Sequence, residues 1–246
     1  MSRLFDRNDN LAILIAGIFS IIIGIGVARF AFTGLIPPML EDHLSIKFVG
    51  ILASLNFAGY LTGSILSVFL KDINQKVLFY RMGIVLAIAT TFVLGFSTND
   101  TFWMISRVLG GFAGAMALVV GSAIVMTKLK MESKTKAMGI HFSGIGFSIL
   151  TTDLIARYVL SLGYTWQDSW IVLSIFAIVL ASYAMYILSF DKEVKQNVVK
   201  HKFDFSIFTF FVILLIMAYF TEGVGFVVQA TFLPDIVNTL PGLEGY

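Results

Sequence analysis

LAILIAGIFSIIIGIGVARFAFTGL, residues Leu11 to Leu35, carries no charge until Arg29. A helix needs roughly 20 apolar residues at ~1.5 Å each to cross a ~30 Å hydrocarbon core, and this run supplies them. Arg3 and Arg7 precede it, as they would a secretory signal. A signal's apolar region is roughly 7 to 15 residues long and ends at an Ala-x-Ala site. The run is longer and has no such site, so it predicts an uncleaved first transmembrane helix.

Working outward, seven such runs follow one another: Leu11 to Leu35, Phe48 to Leu70, Val77 to Phe96, Thr101 to Thr127, Lys136 to Leu160, Ser169 to Phe190 and Ser206 to Ala230. Composition agrees, with 58% hydrophobic and 13% charged residues where soluble domains carry about 25% charged. The net charge of +2 implies no polyanionic partner and no nucleic acid. The absence of cysteine excludes disulfides, thiolate chemistry and Cys-ligated metals. Neither cofactor nor metal is expected.

Basic residues set the expected orientation, because cytoplasmic loops accumulate Lys and Arg. They fall at the N-terminus (Arg3, Arg7) and in the even-numbered loops (Lys71, Lys76, Arg81; Lys128, Lys130, Lys134, Lys136; Lys192, Lys195, Lys200, Lys202), while the odd loops hold only Lys47. The N-terminus is therefore expected inside, in a multi-pass membrane protein. Trp103, Trp166 and Trp170 are expected at the outer ends of their helices as interfacial aromatics. The polar stretch Asp191 to Asp204 divides the chain into a six-helix bundle (1–190), a cytoplasmic linker (191–205), and a seventh helix opening a further part (206–246), which the resemblance described below implies is the start of an incomplete C-terminal bundle.

Charges inside a bilayer cost about 2.5 to 3.5 kcal/mol on insertion scales, so each requires a partner or a watery cavity. Arg29, Arg107, Asp153, Arg157 and Glu222 are such charges. With an inside N-terminus, Arg29, Asp153 and Glu222 lie about 24 to 27 Å from the inner ends of their helices, and Arg107 lies about 9 Å below its outer end. All fall in the outer half. One account is a polar cluster around a cavity, with Arg29 and Arg107 recognising anionic groups and the carboxylates taking up protons. The other is arginines satisfying backbone carbonyls at broken helices. Glu222, within Thr221-Glu-Gly-Val-Gly225, and Asp153 are the proton-coupling candidates, although Arg157 lies on Asp153's helical face and can neutralise it. Asn56 and Gln229 are candidate solute ligands, or interhelical hydrogen-bonding groups. His141 stands alone and suits a packing role, and no catalytic constellation points to an enzyme. Gly59 and Gly63, Gly110, Gly111 and Gly114, and Gly139, Gly144 and Gly146 are spaced for close helix contact.

Specific stretches carry a resemblance. Arg107-Val-Leu-Gly-Gly111 is similar to the Arg-x-x-x-Gly element of the major facilitator superfamily, whose arginine is associated with proton coupling, and Gly139 to Gly146 resembles that superfamily's glycine-rich element. Gly26-Val-Ala-Arg-Phe-Ala-Phe-Thr33, Ile36-Pro-Pro-Met39, Asn56-Phe-Ala-Gly-Tyr60, Thr221-Glu-Gly-Val-Gly-Phe226 and Ala230-Thr-Phe-Leu-Pro234 together resemble the YbfB/YjiJ group of bacterial major facilitators. Ser67 stands where the superfamily's loop signature has an aspartate four residues after Gly63. The resemblance implies an all-α membrane fold: the N-terminal six-helix bundle of a major facilitator plus one further helix. It implies a proton-coupled secondary transporter of a small organic solute, whose partners are that solute, protons, the lipid bilayer and a missing C-terminal half or complementary chain. With seven expected helices against the family's twelve, the chain reads as a fragment. A seven-helix receptor or sensor is the alternative, opposed by the inside N-terminus and by the lack of a lysine for a retinal Schiff base in the last helix.

Overall fold

The computed structural model describes residues 2–130, 134–189 and 209–238. Six helices in it are long and apolar enough to cross a membrane: α1 (Asn10–Asp42), α2 (Ile46–Phe69), α3 (Ile73–Phe96), α4 (Asp100–Lys128), α5 (Lys134–Ser161) and α6 (Trp166–Ile187). A 3-10 turn, Ser2–Phe5, precedes them. A further helix, α7 (Phe210–Asn238), has the apolar stretch Phe210–Phe226. No strand occurs among the described residues, so the all-α membrane fold is what the chain adopts. The chain divides into two compact units, Met1–Gln196 and Asn197–Tyr246. The linker expected at 191–205, with its lysines, lies outside the described residues.

Side-chain caps fix several boundaries. Asp9 accepts from the Leu11 and Ala12 amides (2.8 and 3.3 Å) to open α1, and Asn99 accepts from Thr101 and Phe102 (3.0 and 3.3 Å) to open α4. These are the orphan donors of a first helical turn, which Asp and Asn side chains satisfy well. Helix α6 begins at Trp166, earlier than Ser169, because Thr165 and Asp168 form a reciprocal capping box. Helix α1 runs past Leu35, through Pro37 and Pro38, to Asp42. Two adjacent prolines remove only the amides that would have bonded to Thr33 and Gly34, and their fixed φ suits a helix, so the helix continues beyond them.

The first unit is built around α1 and α4, the two most enclosed helices. Helix α4 packs on α2 and α3, α1 packs on α5 and α6, α1 meets α4, and α3 meets α6. Exchanging the first three helices with the second three preserves these contacts, whereas α1 also meets α3 and α5 also meets α6 without a comparable counterpart. Glycine makes the closest contacts. At α2/α4, a Cβ on Gly111 would fall on the Asn56 carbonyl and one on Gly59 on the Val108 carbonyl. At α1/α4, Gly24 abuts Ala117, and a Cβ on Gly114 would lie 2.8 Å from the Gly24 oxygen. Each inner helix widens to a π-helix at this crossing, Ile22–Phe30 in α1 and Met116–Val120 in α4.

Two expectations are corrected. Gly139 and Gly146 meet no described helix: a Cβ at either would have nothing within 4 Å among the described residues, and only Gly144 of that set packs, against Ile18. Their spacing gave the face they share but not what that face meets. The tryptophans lie at one end of the bundle but are buried inside it, Trp103 and Trp170 at 0% exposure and Trp166 at 4%. Trp103 and Trp166 pack edge to face at 5.6 Å, and their indole N–H groups donate to the Ser97 carbonyl and the Asp42 carboxylate. With their polar tips satisfied by protein, these two indoles gain more from the core than from the interface, whereas the buried Nε1 of Trp170 has no hydrogen-bond partner.

Replacing Gly111 by alanine should lower the unfolding stability of the purified chain by about 1–3 kcal/mol through overpacking, while Gly139→Ala should leave it within about 0.5 kcal/mol or raise it. Equilibrium unfolding in mixed micelles measures both.

Candidate functional site

Arg107 lies in the second turn of α4, where the helix faces α1 and α2. Its side chain is 3% exposed, and one guanidinium nitrogen donates to the Ala28 carbonyl at 3.1 Å, within the widened stretch of α1. Its guanidinium carbon sits 4.4 Å from the centre of the Phe32 ring, a cation–π distance. From α2, Asn56 donates its amide to the Arg107 carbonyl at 3.0 Å and is 1% exposed. Gly110 and Gly111, either side of this contact, leave the room that α1 and α2 need to approach.

Arg29 follows Ala28 in sequence, so the hydrogen bond from Arg107 draws the two arginines into one neighbourhood. Unlike Arg107, Arg29 is half-buried. Its guanidinium lies 4.3 Å from the Phe57 ring centre, 5.0 Å from Tyr60 and 5.3 Å from Phe30. Neither arginine has a carboxylate partner among the described residues. Two polar atoms at this junction are buried without a hydrogen-bond partner, Nε of Arg107 and Oδ1 of Asn56.

The remaining candidates stand elsewhere. Asp153 on α5 pairs with Arg157 at 2.7 Å, both side chains partly exposed, and lies against Gly34 of α1. Glu222 and Gln229 lie on α7, in the second unit, seven residues apart and so on one face of that helix; both are exposed. His141 is buried and hydrogen-bonds to Ser122 at 2.9 Å, the packing role its isolation suggests. The aromatic lining of Arg29 was not legible beforehand as a lining. Phe57 and Tyr60 sit one turn apart on α2, but nothing in their spacing names Arg29 as their neighbour.

Chemically, the junction holds two positive charges side by side. One is committed to a backbone carbonyl and the other is flanked by aromatic faces. No metal-binding cluster of His, Cys, Asp or Glu occurs among the described residues.

Comparison with known proteins bears on this arrangement. The sequence model of a family described as "Uncharacterised MFS-type transporter YbfB" matches residues 21–243. The chain is also similar to "Multidrug efflux pump SdrM" of Staphylococcus aureus (strain N315), 26% identical over 173 residues. That alignment covers 70% of this chain and 37% of the relative's length.

Asn56→Ala should cost about 1–3 kcal/mol of stability, because it removes a buried hydrogen bond between α2 and α4. The exposed Thr62→Ala should stay within about 0.5 kcal/mol in the same unfolding measurement. An unchanged Asn56→Ala would mean that the side chain holds no helices together.

Proposed function

We propose, since the chain belongs to the YbfB-type family of transporters in the major facilitator superfamily, that it moves a small organic solute across the bacterial inner membrane by proton-coupled alternating access. The observation that carries this reading is the pair of arginines at the α1/α4 crossing. A half-buried guanidinium at that depth, facing lipid, would bear the insertion penalty with nothing to offset it, so an aqueous cleft is its natural surrounding. Arg29 is the solute-binding group of the cleft, with the buried Arg107 and Asn56 behind it, and Gln229 of the second unit is a further candidate solute ligand. Arg107, already anchored on Ala28, positions the site and contributes its charge.

Glu222 serves as the principal proton site, flanked by Gly223 and Gly225, with Asp153 as the second. A carboxylate's proton affinity rises when it leaves water and falls when a guanidinium comes near, so alternation between two such surroundings couples protonation to conformational change. The six helices of the first unit act as one rocking half, the linker at 191–205 as the cytoplasmic connection, and residues 206–246 as the opening of the second half.

Reconstituted in proteoliposomes with a transported solute, Glu222→Gln should abolish accumulation driven by a pH gradient while preserving solute exchange. Unaltered pH-driven accumulation would remove Glu222 from the coupling step.

Orientation is open to direct test because the sequence contains no cysteine. Introduced singly in intact cells, Lys47→Cys should react with a membrane-impermeant maleimide, and Lys71→Cys should react only after permeabilisation. The opposite pattern would reverse the assignment of an inside N-terminus.

A further inference from the structure

We infer that Arg29 is the point of recognition for the carboxylate of a small organic anion whose body is aromatic or apolar. This inference rests on the transporter reading above and deepens it by naming the class of solute.

Charge is the first argument. Arg29 and Arg107 place two guanidinium groups at one helix crossing with no carboxylate to balance them among the described residues. A cationic solute would add a third positive charge to that neighbourhood, and a neutral one would leave both uncompensated. An anion alone lowers the energy of the assembly.

Division of labour is the second. Arg107 is buried, and its guanidinium is fixed by the Ala28 carbonyl and the Phe32 ring. It contributes field but no reachable donor edge. Arg29 is half-buried, and its N–H groups donate to no protein atom among the described residues. A planar guanidinium matches a carboxylate through two parallel N–H···O bonds, a geometry that a lysine's point charge cannot reproduce.

The surroundings of Arg29 supply the third. Rings of Phe57, Tyr60 and Phe30 stand within 5.3 Å of the guanidinium carbon. Aromatic faces hold the cation in place and, on the open side, offer apolar surface to whatever the carboxylate carries. Acetate would satisfy the charge and waste the rings; benzoate uses both.

The test is calorimetric titration of the full chain in nanodiscs of zwitterionic lipid. The probes are benzoate, its neutral isostere benzamide, its cationic counterpart benzylammonium, and acetate. Benzoate should bind at least tenfold more tightly than each of the others. Arg29→Gln should weaken benzoate at least tenfold, Arg29→Lys should weaken it less, and Arg157→Gln should leave it unchanged. Phe57→Leu should narrow the preference for benzoate over acetate, a readout that survives if the Arg29 variants fail to fold. Equal binding of benzamide or benzylammonium, no binding of benzoate, or full benzoate affinity in a folded Arg29→Gln would overturn the inference. Loss of benzoate binding on adding phosphatidylglycerol to the nanodisc would show that a lipid headgroup is the anion, and would overturn it as well. Binding is read without transport, so a chain that binds benzoate but moves nothing in proteoliposomes defeats the transporter reading and leaves the anion site standing.

Discussion

A guanidinium inside a bilayer must be answered by something, and in this protein the answer is a backbone carbonyl. Arg107 donates to Ala28 across the crossing of α1 and α4, and the local arrangement follows from making that bond possible. Helix α1 widens over Ile22–Phe30, which includes Ala28. Helix α4 carries glycine at 110, 111 and 114, so that α1, α2 and the ring of Phe32 can close around the charge. Asn56 holds the carbonyl of Arg107 from the other side. With a regular α-helix at Ala28 or bulk at Gly111, the charge would be left in an apolar interior with no partner.

The same crossing organises the unit as a whole. Helices α1 and α4 are the inner pair, α2 packs on α4, α5 packs on α1, and α3 and α6 meet each other. The tryptophan end is closed by a separate set of contacts: Trp166 on Asp42, Trp103 on the Ser97 carbonyl, and His43 within 3.7 Å of Asp100. These tie the ends of α1, α4 and α6 together above the arginines. Other polar links between helices of this unit lie outside both sets, among them Ser20 with Tyr80 and Ser122 with His141.

Much of this was open to a reader of the sequence, and for a physical reason. A bilayer demands an uninterrupted apolar run for every crossing, so the six long helices are written as six such runs. Charges within those runs stand out because each is costly there, which is how Arg29 and Arg107 could be singled out. What the sequence withheld was facing. Helical periodicity says that Gly139 and Gly146 share a side of α5, but not that this side meets no other helix among the described residues. It places Trp103, Trp166 and Trp170 at one end, but not inside rather than outside the bundle. It separates Asp153 from Arg157 by one turn, which was enough to anticipate their ion pair. The capping box of Thr165 and Asp168 was present in the letters, but the apolar run of α6 begins only after it, and that run drew the boundary too late.

The widened stretch of α1 has a geometric consequence for Arg29, which lies within it. A π-helical turn holds more residues than an α-helical one, so the chain there carries surplus length. Were one surplus residue to be drawn into regular α-winding, everything on its far side would turn about the helix axis by about 100°, the angular step of a single residue. Arg29, with the part of α1 beyond that turn, would then swing away from Phe57 and Tyr60 toward a different neighbour. A change of register in this stretch would therefore re-aim Arg29, which lies within it.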